Sequence, residues 1–337
     1  MRRKMLAVLL SMAMALSLAG CGKDAKEEKS ESPAVTLVYA EVNPLDTISG
    51  QTALAFKEKV EEISGGNITI DIQHSGVLGD ETTVLESMMK GDSAADLARV
   101  STSMLTSYGA EKTKLLSLPF MFEDREHFWN FASSSLADEF LKEPSDNGYG
   151  FRGLFYGEEG FRHFFTSKEV TGIDDFVGMK IRVANDPIMN GIVTGLGATP
   201  TVVSFNELYL ALQHELVDAA EQPVANYKSN AFMEVAPTLI LDGHTLGTTE
   251  VVIADAAWDS LTEEQQGWLK EAGKYASSMN HQISEEEENK VLNELKEWGV
   301  NVVEVKDIQP WKDACSTLVE QNIKGMEGLY QQIVDME

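Results

Sequence analysis

Short apolar runs alternate with segments whose apolar residues recur at helical spacing, and this alternation limits the folds open to the chain more than any other feature. Runs typical of buried strands cover residues 35–40, 68–72, 97–100, 151–156, 179–183 and 239–241. Helical spacing marks residues 47–63, 82–90 and 206–214. Strands that alternate with helices predict an α/β fold with a mostly parallel sheet and helices on both faces. At about 150 residues per domain, the 337 residues suffice for two domains.

Residues 262–298 are predicted to form one long helix near the C-terminus. Apolar residues recur there at helical spacing from Trp268 to Trp298. At 1.5 Å per residue such a helix reaches about 50 Å, which is longer than one small domain and enough to brace two. A break near Ser284 into two shorter helices is the alternative.

The N-terminus carries the pattern of an export signal. Basic residues at positions 2–4 precede an apolar run over residues 5–19, which is too short to span a membrane and typical of a signal peptide. Leu18-Ala19-Gly20-Cys21 resembles the lipobox of bacterial lipoproteins, so residues 1–20 are predicted to be a signal peptide and Cys21 the lipid attachment site. A plain signal peptide followed by an incidental cysteine is the alternative. Residues 21–33 are predicted to be a lipidated flexible tether.

The chain is strongly acidic. It has 27 Lys and Arg against 54 Asp and Glu, a formal net charge of −27, which becomes −30 once the three basic residues of the leader are removed. Such a surface repels phosphate backbones, so nucleic-acid binding is excluded and any anionic ligand needs a local positive site. No later run approaches a membrane span, so the body is expected outside the cytoplasm, anchored to a membrane by lipid.

Motifs for catalysis or metal binding are missing from the sequence. The two cysteines cannot form a disulfide framework, and no histidine stands beside Cys315 or in a metal-binding pair. The six histidines are His74, His127, His163, His214, His244 and His281. Neither a nucleophile elbow nor a phosphate loop or dinucleotide fingerprint is present, so we predict no enzyme, no cofactor and no metal. A catalytic triad assembled from distant positions stays open.

Two arginines occupy apolar surroundings. Arg182 lies inside the strand-like residues 179–183, and Arg162 is flanked by phenylalanines. A buried arginine is costly unless an anion meets it, and its planar fork matches a carboxylate with two parallel hydrogen bonds. An organic acid in a cleft is therefore one interpretation. Pairing with one of the many acidic side chains, or exposure at a strand edge, is the other.

Residues 178–223 contain four motifs in order: G-x-K-I-R-V, G-A-x-P, F-x-E-L-Y-x-A-L-Q and V-D-x-x-E-x-P. In order and spacing they resemble the central signature of the DctP family, the solute-binding subunits of TRAP (tripartite ATP-independent periplasmic) transporters. Gly79-Asp80, Leu118-Pro119-Phe120 and Gly160-Phe161-Arg162 match as well. The resemblance extends over nearly the whole chain after the leader.

The resemblance implies roles for individual residues. It makes Arg182 the arginine that clamps a carboxylate and Arg162 a second pocket arginine. Asn185 takes the place of the pocket asparagine three residues past the clamp, and Phe205 that of the aromatic wall. Without the resemblance, Phe205 would be interpreted as an ordinary apolar residue that packs at the N-terminus of a helix.

Other positions match the family less closely. Gln222 stands where the family usually has asparagine, and its amide is one methylene longer, which changes the pocket. Asn43 and Glu81 are expected to contribute to the pocket. Ser101 occupies a place where some members carry an acid.

The resemblance further implies a periplasmic-binding-protein-like fold with two α/β domains, mixed sheets flanked by helices, a cleft between the domains and a long bracing helix. We expect residues 34–159 with 248–285 in one domain, and residues 160–247 with 286–337, including the C-terminal helices, in the other. The ligand is expected to be a sugar acid such as a uronate, or a four-carbon dicarboxylate. The membrane partners are the small and large TRAP subunits. A ligand-sensing lipoprotein of a signalling system and a surface hydrolase are the alternatives.

Overall fold

The computed structural model describes residues 33–91 and 94–336. Within them, one sheet has the strand order β2-β1-β3-β8-β4-β7-β5-β6, with β9 pairing to β8. Its strands are β1 (Val35–Ala40), β2 (Ile68–Gln73), β3 (Leu97–Ser101), β4 (Phe151–Thr166), β5 (Lys180–Val183), β6 (Thr199–Val202), β7 (Ala219–Pro223), β8 (Thr238–Ala254) and β9 (Asn301–Glu304). The predicted signal peptide, Cys21 and nearly all of the predicted tether lie outside the described residues.

Helices cover the sheet and follow the strands in sequence. The described α-helices are α1 (Ile48–Ile63), α2 (Glu81–Lys90), α3 (Thr102–Leu105), α4 (Arg125–Ala132), α5 (Ser135–Phe140), α6 (Glu143–Asp146), α7 (Pro187–Gly195), α8 (Leu208–Gln213), α9 (Val224–Ser229), α10 (Asp255–Ser260), α11 (Glu263–Glu297), α12 (Gln309–Asn322) and α13 (Glu327–Val334). The predicted helix over residues 206–214 begins instead with a 3₁₀ turn, Phe205–Glu207, that leads into α8. None of the described helices combines the length and apolarity that crossing a membrane requires.

Strand pairing in the sheet is mixed. β1 pairs in parallel with β2 and β3, and β5 pairs in parallel with β6 and β7. At the centre, β4 and β8 run antiparallel to each other, to β7 and to β3. β8 also pairs in parallel with β9, so five of the eight described strand pairings are parallel. The sheet is mixed, as the resemblance implied, because its two longest strands pair antiparallel.

The two central strands are far longer than their apolar runs predict. β4 has 16 residues and β8 has 17. The C-terminal part of β4 also pairs with β7, and β8 pairs with β9 near its start and with β3 near its end. Three register shifts between them occur near Leu154, Gly160 and His163. These irregularities let the paired strands bend, because a bulge inserts an unpaired residue and increases the local twist.

The long helix is confirmed as one element. α11 has 35 residues, so it extends about 52 Å at 1.5 Å per residue. Thr262 and Gln265 form a capping box at its start, in which each side chain bonds the backbone amide of the other. Ser284 is fully buried within the continuous helix, so the alternative of a break there is wrong.

Four clusters of buried apolar side chains hold the described residues together. One joins β1, α1 and β2, and another surrounds α2, β3 and α3. A third includes α4, α7 and Trp311 of α12, and the fourth includes α8 and α9. α11 contributes Leu269 and Ala276 to the first of these clusters and Val291 and Leu295 to the fourth, so it braces two cores. The domain boundaries predicted from the sequence stay a prediction.

Candidate functional site

A cavity of about 360 Å³ lies where the ends of several strands meet. All seven residues that the sequence singled out for a binding site line it: Asn43, Glu81, Arg162, Arg182, Asn185, Phe205 and Gln222. The structure thus brings together side chains that are as far apart in sequence as positions 43 and 222.

The topology explains this convergence. Asn43 follows β1, Ser101 ends β3, Asn185 follows β5 and Phe205 follows β6, and all of them line the cavity. In α/β sheets the crevice outside the carboxyl ends of parallel strands is where ligands bind, because chain reversals leave it open there. Glu81 joins them as the first residue of α2, whose start is capped by the Asp80 side chain on the backbone amide of Thr83.

Arg182 is buried in the cavity wall and pairs with no counter-ion among residues 33–91 and 94–336. Its residue is 2% exposed, its Nε donates a hydrogen bond of 2.9 Å to the carbonyl oxygen of Val203, and its guanidinium stands 6.0 Å from the centre of the Phe205 ring. Its Nη groups donate to no side chain or carbonyl in the described part of the chain, and it forms no ion pair there. Burial lowers the pKa of Arg182 to about 10; Glu221 opposes this shift and Arg162 adds to it.

Arg162, by contrast, is held by two carboxylates. Its Nε and Nη2 donate to the two oxygens of Glu221 at 2.5 and 3.0 Å, and its Nη1 donates to Glu159 at 2.9 Å. Burial alone lowers the pKa of Arg162, but the Glu221 carboxylate outweighs it and raises that pKa. This is the internal pairing that the sequence left open as an alternative for both arginines.

Two further buried groups, His244 and Asp242, extend the row of alternating charges that begins with Arg162 and Glu221. His244 Nδ1 is 2.6 Å from Asp242 Oδ2, and His244 Nε2 is 3.6 Å from Glu221 Oε2. Although burial lowers the pKa of His244, the Asp242 and Glu221 carboxylates raise it to about 9. Burial likewise raises the pKa of Glu221, but Arg162 and His244 lower it to about 2. At neutral pH Glu221 is therefore anionic and holds Arg162 in place.

A third arginine in the cavity wall was missed. Arg99 in β3 donates to Glu41 at 2.9 Å and to Glu81 at 2.7 Å, and its Nη1 lies 3.8 Å from Glu159. The sequence could have identified Arg99, because it lies inside the strand-like residues 97–100 just as Arg182 lies inside residues 179–183. Its three acidic partners were not predictable, because they come from separate parts of the chain.

Amide groups complete the lining. Asn226 of α9, also missed, donates to Glu159 at 3.1 Å and to the Gln222 side chain at 3.4 Å. The side-chain oxygens of Asn43 and Asn226 are fully buried and accept no hydrogen bond from the described residues. Asn185 is exposed beside the cavity.

Comparison with known proteins identifies the family. The DctP model, bacterial extracellular solute-binding protein, family 7, matches residues 39–325. A TRAP periplasmic solute-binding protein from Bradyrhizobium sp. BTAi1, solved with galacturonate, is 29% identical, with a TM-score of 0.84 over 89% of this chain and 100% of that one. A counterpart from Pseudomonas putida F1, solved with D-glucuronate, is 25% identical, with a TM-score of 0.84 over 89% of this chain and 96% of that one. The C4-dicarboxylate-binding periplasmic protein DctP of Rhodobacter capsulatus is 25% identical over 79% of this chain and 78% of its own length.

These findings confirm the predicted α/β fold of a periplasmic binding protein with a long helix. Because the family consists of solute-binding proteins and not of enzymes, they also confirm the prediction that the chain has no enzymatic role and works outside the cytoplasm. The chain belongs to the DctP family of extracytoplasmic solute-binding proteins of TRAP transporters.

Proposed function

We propose that this protein captures an organic acid by pairing the ligand's carboxylate with Arg182, and delivers the acid to the membrane subunits of a TRAP transporter. The observation that carries the proposal is the guanidinium of Arg182, which is buried in the cavity wall and has no counter-ion among the described residues. An unpaired buried charge is costly. A carboxylate that accepts two parallel hydrogen bonds from the guanidinium removes that cost.

The neighbouring side chains suit the same ligand. Arg162 lies beside Arg182 in the same cavity wall and is held in place by Glu221 and Glu159. The amides of Gln222 and Asn185 supply further donors and acceptors. Phe205 provides an apolar wall. Two of the similar proteins were solved with a bound uronate, and a third is named a C4-dicarboxylate-binding protein. We therefore infer a sugar acid or a four-carbon dicarboxylate as the ligand class.

Delivery follows from closure around the ligand. Closure removes water from the cavity, and charge-assisted hydrogen bonds gain strength in the lower dielectric. The closed, loaded form then docks on the small and large TRAP subunits. We also propose that lipid on Cys21 holds the protein at the membrane, on the strength of the lipobox-like Leu18-Ala19-Gly20-Cys21. A Cys21→Ser variant that stays in the membrane fraction would contradict this anchor.

The binding step is tested by thermal unfolding of the purified full-length chain against a panel of organic acids. A ligand at 100 times its Kd adds about 2.7 kcal/mol, which at roughly 2–4 °C per kcal/mol raises Tm by several degrees. We expect this rise for one class of acids, and we expect Arg182→Ala to abolish it.

Arg152→Ala is the matched control, because Arg152 lies outside the cavity and pairs with Asp255. It should keep the full ligand-induced shift. A shift that survives in Arg182→Ala, or no shift with any carboxylate, would overturn the proposal.

A further inference from the structure

We propose that the cavity selects acids with a single carboxylate and hydroxyl groups at the other end, and that Glu81 rejects a second carboxylate. This inference rests on the proposed function, since it takes Arg182 as the partner of the first carboxylate. It chooses between the two ligand classes that the sequence and the relatives leave open, and it assigns Glu81 as the residue that determines specificity.

The first support is the distribution of charge. Three arginines line the cavity, and two of them are already committed: Arg99 to three carboxylates and Arg162 to two. Within the described residues, Arg182 is the lining arginine without such a partner. A dicarboxylate that placed one end on Arg182 would therefore find no free cation for its other end.

The second support is that the Glu81 carboxylate is the one near Arg99 that a ligand in the cavity can contact. Of the carboxylates around Arg99, those of Glu41 and Glu159 are 0% and 3% exposed, whereas that of Glu81 is 13% exposed and lines the cavity. Asp80, the neighbour of Glu81, lines it too. Like charges brought together in a buried site repel each other strongly and suppress binding of the wrong ligand. A hydroxyl group at the same place donates to the Glu81 carboxylate and forms a charge-assisted hydrogen bond.

The third support is that the cavity wall offers both a donor and an acceptor. The amide nitrogen of Gln222 donates to no group in the described part of the chain, although its oxygen accepts from Asn226. The Glu81 carboxylate, which is 13% exposed, only accepts. A hydroxyl both donates and accepts and so matches both groups, whereas a carboxylate only accepts and matches the Gln222 amide alone. At about 360 Å³ the cavity is near the lower end for small-molecule sites, which suits a single sugar acid.

The test uses pairs of acids that differ only at one end, where a CH₂OH group is replaced by a carboxylate. The pairs are D-gluconate with D-glucarate, D-galactonate with galactarate, and D-erythronate with meso-tartrate. Titration calorimetry on the full-length chain measures each Kd. In the pair that binds best, we expect the monocarboxylate to bind at least ten times more tightly than its dicarboxylate.

A Glu81→Gln variant tests the assigned residue. It removes the reachable negative charge at nearly constant size, so the preference for the monocarboxylate should fall at least threefold. Glu86→Gln is the matched control: it makes the same change in net charge on the exposed face of the same helix, and its preference should equal that of the unmodified chain. The ratio in the unmodified chain decides the proposal even if Glu81→Gln fails to fold.

The outcomes separate this inference from the proposed function. Tighter binding of the dicarboxylates, still abolished by Arg182→Ala, overturns the inference and leaves the proposed function standing. An unchanged preference in a folded Glu81→Gln variant overturns the assignment of Glu81. Binding that is indifferent to Arg182→Ala overturns both. So does a failure to bind any of the six acids, D-glucuronate and D-galacturonate.

Discussion

Three arginines with the same chemistry line one cavity, and their counter-ions set them apart. Arg99 and Arg162 are surrounded by carboxylates that fix their position, whereas none of the described carboxylates pairs with Arg182. The paired arginines therefore belong to the framework of the empty protein. The unpaired one stores an unfavourable interaction that a bound anion relieves.

This difference predicts opposite effects on the stability of the ligand-free protein. Arg162→Met takes the main counter-ion from buried Glu221 and one of two arginines from Glu159. Breaking a buried ion pair by removing one partner typically costs about 3–5 kcal/mol, so Tm should fall by several degrees or more. Arg182→Met removes a buried charge that burial already disfavours, so Tm should stay equal or rise. Thermal unfolding without ligand measures both variants. A larger fall for Arg182→Met than for Arg162→Met would contradict this account of the cavity.

At the scale of residues, the sequence could identify Arg182 because a charge inside an apolar strand is conspicuous. The same criterion applied to residues 97–100 finds Arg99, which was overlooked. Phe205 and Gln222 depended entirely on the family resemblance. The Glu41, Glu81 and Glu159 cluster could not be found, since a carboxylate is conspicuous only once its distant partner is known.

Among the elements, helices with clear ends could be predicted, whereas the full length of the two long central strands could not. Thr47 and Asp80 are capping residues, and the observed starts of α1 and α2 lie within one residue of prediction. β4 and β8 carry Glu158 and Glu250 at fully buried positions, and glycines interrupt their apolar runs. Apolar and polar residues do not alternate along these two strands, so the sequence shows no strand periodicity there. Only residues 151–156 of β4 and 239–241 of β8 were predicted as strand.

Two glycines in α11 test how tightly that helix packs on the sheet. A Cβ at Gly273 would stand 2.8 Å from a ring carbon and 3.2 Å from the Cβ of Phe155 in β4, whereas a Cβ at Gly267 would meet nothing within 4 Å. Gly267→Ala should therefore stabilise the protein by about 0.5–1 kcal/mol, the difference in helix propensity. Gly273→Ala should destabilise it by about 1–3 kcal/mol through overpacking.

Denaturant unfolding of the two variants measures both effects within one helix. Because each variant adds the same methyl group, the comparison isolates packing against Phe155 from helix propensity. Equal stabilisation by both substitutions would mean that α11 can move away from β4 at little cost.

For the whole molecule, the cationic Arg182 is an exception on a chain of net charge −27. An acid approaching from solution meets the repulsive field of the protein before it meets the cavity. The Debye length shortens from about 30 Å at 0.01 M salt to about 8 Å at 0.15 M. The association rate constant of an anionic ligand should therefore rise with ionic strength over this range.

Stopped-flow measurement of tryptophan fluorescence at several salt concentrations checks this expectation. A neutral sugar gives no control because it lacks the carboxylate, so the dissociation rate of the same acid serves instead and should change less. An association rate that falls as salt is added would mean that the local field of the cavity dominates over the charge of the whole protein.

The core clusters close late during synthesis of the chain. Each of the four described clusters includes a residue from the last third of the sequence: Val252, Ala276, Leu295 and Ile333 are among their members. At about 5–20 residues per second, the nascent chain spends tens of seconds with every core still open. A protein that works outside the cytoplasm has to be threaded through a membrane first, and late closure of its cores keeps the chain in a form that can be threaded.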